Sequence, residues 1–121
     1  MSEWYNACSA AGTTAYPYGP TYVAGTCNVG GTTLVAAGSL PNCRGTGAPF
    51  DELFDMSGNV REWVDSCTGT FGATDSCARR GGGIDAESGF ERSSCDETHS
   101  SPRNTTSTGI GFRCCADAEA P

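Results

Sequence analysis

Lysine and glutamine are absent from this 121-residue chain, histidine occurs once, and large apolar side chains are few. Each shortage removes a class of function. Without lysine there is no amine for Schiff-base chemistry. All seven basic residues are arginines, set against 14 acidic ones, and a chain of net charge −7 with no basic stripe is a poor partner for nucleic acid or an anionic membrane surface. His99 alone cannot supply a histidine-rich metal centre, and no Cys-x-x-Cys pair marks a zinc site. No Ser/His/Asp set is recognisable, and acids such as Asp85 and Glu87 are ordinary on an acidic surface. No apolar run approaches the roughly 20 residues of a membrane span. Met1-Ser-Glu-Trp4 has neither the basic start nor the apolar stretch of a signal peptide, so a leader is expected outside this chain.

Valine, isoleucine, leucine and phenylalanine together number 15, about 12% of the chain, which is little for a self-sufficient core. Seventeen glycines add backbone entropy that folding must overcome. Such a chain needs covalent staples, and eight cysteines are present: Cys8, Cys27, Cys43, Cys67, Cys77, Cys95, Cys114 and Cys115. Disulfides imply an extracellular or periplasmic location. Eight cysteines allow ~105 pairings, so spacing alone does not fix the connectivity. Cys67 with Cys77, and Cys27 with Cys43, would close short local loops.

Regular secondary structure should be scarce. Residues 2–10 read as a short helix with Ser2 as N-cap and Trp4, Tyr5 and Cys8 at helical spacing. Residues 11–50 read as long loops with one strand-like stretch, Thr32–Ala36. Val60–Asp65, Arg79–Ile84 and Gly109–Cys115 are strand candidates. Thr98–Thr108 reads as a polar loop that contains the sequon Asn104-Thr-Thr106.

The richest segment is Phe54-Asp-Met-Ser-Gly-Asn-Val-Arg-Glu-Trp63. Gly58-Asn59 reverses the chain between Asp55 and Glu62, so two carboxylates and nearby carbonyls converge. Mixed carboxylate and carbonyl oxygens suit a hard cation such as calcium. The bland alternative is a Gly-Asn turn among solvated acids.

The decapeptide resembles the D-x-x-G-N-V-W-E-W signature of the sulfatase-modifying-factor family, which includes the formylglycine-generating enzyme. Other landmarks follow in that family's order. Ser2-Glu-Trp-Tyr-Asn-Ala-Cys8, Tyr16-Pro-Tyr-Gly19, Cys27-Asn28, Gly38-Ser-Leu-Pro-Asn42, Arg80-Gly-Gly-Gly83 and Gly111-Phe-Arg-Cys114 resemble its other motifs. The resemblance implies a single α+β domain over residues 1–121, disulfide-rich and with little regular secondary structure, of the C-type-lectin-like fold. The N-terminal half of the family domain is not represented here. The resemblance also implies a bridge between Cys8 and Cys95, and it places the usual partner of Cys114 upstream of this chain. A different connectivity or an intermolecular bond for Cys114 and Cys115 therefore stays open.

In the formylglycine-generating enzyme two cysteines hold copper(I). The matching positions are Ala86 and Glu91, or Glu87 and Phe90 after a one-residue shift, so that copper pair is not present. The calcium loop transfers better: Asp55, the carbonyls of Gly58 and Val60, and Glu62, with Arg61 in place of the family's tryptophan. Asn28 matches the start of a second calcium site, although no aspartate follows at the family's spacing. Arg79 and Arg80 are expected to pair with buried carboxylates beside Gly81-Gly82.

The expected function is that of a non-catalytic, secreted binding or assembly module, stabilised by calcium and disulfides, with a protein or glycan as ligand. Glu87, Phe90, Glu91 and Arg92 are the candidate binding residues. One alternative is a subunit of an extracellular homo-oligomer or filament, with another chain completing the fold. The rival class is an oxidase acting on a protein cysteine, its copper held by other cysteines such as Cys114 and Cys115.

Overall fold

The computed structural model describes residues 2–84 and 90–116, with residues 90 and 91 described by backbone alone. One helix, α1 (Glu3–Cys8), precedes four short strands: β1 (Arg61–Cys67), β2 (Ser76–Arg80), β3 (His99–Pro102) and β4 (Ile110–Gly111). The sheet order is β3-β2-β1-β4. β1 and β3 both run antiparallel to β2, and β4 runs parallel to β1.

Six residues are too few for a helix to persist alone in water. Ser2 caps α1, its Oγ accepting from the Tyr5 N–H at 3.2 Å. Trp4 and Cys8 are buried on the inner face and hold α1 in place. They meet Met56 and Cys95 in the main cluster, with Tyr5, Ala7, Leu53 and Val64 packed around it. Two of these four central residues are the halves of one disulfide.

The bridges are Cys8–Cys95, Cys27–Cys43 and Cys67–Cys77, spanning 87, 16 and 10 positions. The first joins α1 to the segment after Ser93, the second ties the loop region, and the third closes the β1–β2 hairpin. Arg103 fastens that hairpin further by donating to the carbonyls of Gly69 and Thr70 at 2.8 and 2.9 Å. Cys114 and Cys115, grouped above with the disulfide cysteines, are free and exposed thiols instead. The six other cysteines are paired among themselves, so neither has a partner within the chain.

Four sequence expectations need correction. Thr32–Ala36 is not a strand; it is held by side-chain amides rather than by a ladder. The Arg79–Ile84 strand lies upstream, at Ser76–Arg80, because Gly81 and Gly82 take left-handed φ values of 94° and 65° and end it. His99–Pro102, read as loop, is an edge strand paired with β2. β4 is only two residues long, although Gly109–Cys115 reads as a strand.

Gly81 shows why the sequence places glycine after Arg80. A Cβ there would stand 2.8 Å from the Met56 carbonyl oxygen and 3.2 Å from Trp4 Cζ2, at a left-handed φ. The core cluster closes only because that atom is missing.

Disulfide strength should follow loop length. In the chain-entropy account, removing Cys8–Cys95 (both to Ala) costs about 4–5 kcal/mol and removing Cys67–Cys77 about 3 kcal/mol. Urea unfolding of the two variants checks this. Equal losses, or a larger loss for the short loop, would contradict that account.

Candidate cation site and its anchoring pair

The Gly58-Asn59 turn is built from two consecutive left-handed residues, with φ of 77° and 64°. Asparagine tolerates that region better than most side chains. The Gly58 N–H donates to the Gly81 carbonyl and the Asn59 N–H to the Asn28 carbonyl, both at 2.7 Å. The Asn59 amide then acts like a piece of backbone. Its Oδ1 accepts from Asn28 Nδ2 and the Val35 N–H, each at 3.0 Å, and its Nδ2 donates to the Val35 carbonyl at 3.1 Å. Asn28 Nδ2 also donates to the Thr33 carbonyl at 3.0 Å, so Asn28 clamps residues 28–35 against the turn.

Asp55 sits just before the turn, itself left-handed at φ 58° and only 8% exposed. Its Oδ2 accepts from the Gly38 N–H at 2.8 Å. Its Oδ1 is buried without a hydrogen-bond partner. A buried carboxylate oxygen in that state is costly unless a cation or water completes it.

Glu62, on β1, is 4% exposed. Trp4 Nε1 donates to its Oε2 at 2.6 Å. Arg113 grips it with two nitrogens: Nε lies 2.8 and 3.0 Å from the two oxygens and Nη2 2.7 Å from Oε1. Nη2 also donates to the Phe54 carbonyl at 2.9 Å. Burial acts to lower the Arg113 pKa, but the hydrogen bonds and charge of Glu62, with Asp55 behind it, prevail and raise it above the ordinary arginine value. The guanidinium therefore stays charged throughout the accessible pH range. Between them these three N–H donors engage both oxygens of Glu62.

Asp55, Asn59, Val60, Glu62, Phe112 and Arg113 lie on the wall of one hollow of about 450 Å³. The fold thus brings both predicted carboxylates and the Gly-Asn turn to one place. For calcium, which takes six to eight oxygens, the fit is uneven. Asp55 Oδ1 is a buried oxygen of the right kind without a hydrogen-bond partner, whereas Glu62 is committed to Arg113 and Trp4.

Arg80, expected to meet a buried carboxylate, donates among the described residues to the Cys95 carbonyl at 3.0 Å and lies over the rings of Trp4 and Tyr5; Asp85, Glu87 and the Glu91 side chain lie outside them. Arg79 stacks over Trp63. Glu87 lies outside the described residues, as does Ala86; of Phe90 and Glu91 only the backbone is described. Arg92 is half-buried in the 3-10 turn Phe90–Ser93. His99 is partly buried on β3, where burial lowers its pKa against the opposing pull of Glu97.

Sequence reasoning gave no role to Arg113 or to the Trp4 indole N–H. The signals were present: an arginine in Gly-Phe-Arg-Cys and a tryptophan on the inner face of α1. Which carboxylate they would meet depends on β4 lying parallel to β1, which no local pattern announces.

A small mixed sheet, one helix, long loops and disulfides define a disulfide-rich α+β domain of the C-type-lectin-like kind. The chain belongs to the sulfatase-modifying-factor family: the sulfatase-modifying factor enzyme 1-like domain matches residues 1–118. In fold it is similar to the solved structure titled "Crystal Structure of CarF", with a TM-score of 0.64 and 20% identity. That likeness covers 91% of this chain and 42% of the other, so the chain spans less than half of that structure's length. No curated protein matches in sequence.

Trp4→Phe keeps an aromatic ring in the core but removes part of the packed indole together with the donor to Glu62. A cost of about 1–3 kcal/mol is expected in chemical denaturation, as for a buried acceptor losing a partner. An unchanged midpoint would show that Glu62 does not need the indole.

Proposed function

We propose that this domain is a non-catalytic binding or assembly module that works outside the cytoplasm, stabilised by its disulfides and by calcium beside Asp55. The observation that carries the reading is the use of the buried ionic groups. Glu62 is paired with Arg113 and hydrogen-bonded by Trp4, so both charged groups serve to hold the fold rather than standing free as an acid, base or nucleophile at the hollow. The sequence also lacks the family's copper cysteines at the matching positions.

Calcium would be held by Asp55 Oδ1 with the carbonyls of Gly58 and Val60. Glu62 lends negative charge to the hollow and keeps Arg113 in position. The ion's contribution is structural: it would neutralise Asp55 and fasten the turn. Three disulfides support an extracellular or periplasmic location. Among the described residues no helix is long and apolar enough to cross a membrane.

A second hollow, of about 400 Å³, favours a glycan over an apolar ligand. It is lined by Tyr18, Asn42, Arg44, Thr46 and Asp51. An aromatic face beside amide, guanidinium and carboxylate groups matches the alternating apolar and hydroxyl character of a sugar ring.

The rival oxidase reading draws on the free thiols of Cys114 and Cys115. They are adjacent in sequence, whereas the positions that match the family's copper cysteines, Ala86 and Glu91, stand five apart, and this argues against it. Oxygen uptake with a cysteine-containing peptide and copper(I) tests this; turnover lost in a Cys114→Ser/Cys115→Ser variant would establish the oxidase.

A thermal melt in excess calcium and after chelation tests the proposed ion. Calcium is expected to raise the midpoint by several degrees, since a ligand of the native state alone stabilises by RT ln(1 + [L]/Kd). Asp55→Asn should remove the shift. Glu62→Gln should lower the midpoint in both conditions. A midpoint indifferent to chelation would remove calcium from the account.

A further inference from the structure

Five asparagines occur in the chain, and only Asn104 has a hydroxyl residue two places on with no proline between, in Asn104-Thr-Thr106. That tripeptide is the acceptor sequence for an N-linked glycan. The pattern alone does not make an acceptor, because the folded chain must leave both the amide and its glycan in solvent. The structure meets that condition. Asn104 and Thr106 are exposed, and among the described residues neither the Asn104 amide nor the Thr106 hydroxyl has a hydrogen-bond partner. The amides of Asn28 and Asn59, in contrast, are spent on Thr33, Val35 and each other.

Backbone bonds fix this segment and leave the two side chains free. Asn104 follows β3 in the turn 102–105, closed by the Thr105 N–H donating to the Pro102 carbonyl at 2.9 Å. The turn lies against the β1–β2 hairpin: the Arg103 and Asn104 N–H groups donate to the carbonyls of Asp75 and Ala73 at 2.8 and 2.9 Å. The Arg103 guanidinium holds the other side of that loop, which Cys67–Cys77 closes. A glycan on Asn104 therefore breaks no contact of the fold. Neither hollow is lined by residues 98–108, so both stay open beneath it. The acceptor is local: it depends on this tripeptide and its path to solvent, whatever else the polypeptide contains.

We propose that Asn104 is an N-glycosylation site. The inference rests on the location outside the cytoplasm proposed above, where an oligosaccharyltransferase would meet the chain. The donor is an oligosaccharide linked to a lipid through pyrophosphate. Asn104 Nδ2 bonds to the anomeric carbon of the first sugar, and the bond from that carbon to the pyrophosphate oxygen breaks. Lipid pyrophosphate leaves, Nδ2 gives up one proton to a base on the transferase, and nothing is oxidised or reduced. An attached glycan is bulky and solubilising. Here it would stand beside β3 and the hairpin loop that carries Phe71, a ring 94% exposed.

The test is secretion of the whole chain, behind an added leader, from a eukaryotic cell line. Intact mass before and after peptide-N-glycosidase, with peptide mapping, gives the readout. A single N-glycan on Asn104 is expected, on chains whose Cys8–Cys95, Cys27–Cys43 and Cys67–Cys77 bridges are closed. Asn104→Gln and Thr106→Ala should each be secreted without the glycan and with the same three bridges. Oxidised wild-type chains with Asn104 unmodified would overturn the proposal and leave the location reading standing. A glycan confined to chains with open bridges would also overturn it, because the fold would then exclude the sugar. Secreted chains whose six bridge cysteines stay reduced would instead overturn the location reading and the proposal with it.

Discussion

Glu62 is the point from which the rest of this small structure is held. It lies on β1, yet its carboxylate is shared between the indole of α1 and the guanidinium of the segment that follows β4. Arg113 reaches back to the Phe54 carbonyl as well. Three parts of the chain, separated by up to about a hundred residues, therefore converge on one buried charge, and Arg113 ties in a fourth at Phe54. A carboxylate this far from solvent is tolerable only when paired and hydrogen-bonded on both oxygens. Removing either member would strand the other. The pair therefore sets which arrangement of strands and helix is permitted, more than it adds raw stability.

Covalent links do the complementary work. With so few large apolar residues, the core reduces to Trp4, Met56 and the Cys8–Cys95 bridge. The bridges lower the entropy of the unfolded chain, and the Gly58 and Gly81 backbones allow close approach where a Cβ would intrude. Calcium beside Asp55, as proposed, would add a third device of the same kind, closing the one buried carboxylate oxygen identified there as unsatisfied.

Much of this was legible in the residues. The Gly-Asn turn, the capped helix and the local cysteine loops follow from short-range chemistry, and the structure has each of them. Family motifs pointed to Cys8–Cys95, which spacing alone did not fix. Long-range pairing was not legible. Nothing local distinguishes Glu62 as the partner of Arg113 from Glu62 as a metal ligand, because both roles ask for a buried carboxylate near a turn. His99–Pro102 was misread because a polar edge strand has a loop's composition, and Thr32–Ala36 because its β-like residues are fastened by Asn59 instead of by a neighbouring strand.

The most direct test of the central role of Glu62 is a double-mutant cycle with Glu62→Gln and Arg113→Met, read by urea denaturation of the oxidised protein. Each single change should cost about 3–5 kcal/mol, because it leaves a buried charge unpaired. The double variant should cost much less than the sum, with a coupling of about 2 kcal/mol or more. Additive, small losses would contradict the account: Glu62 and Arg113 would then be neighbours of convenience, and the disulfides alone would hold the fold.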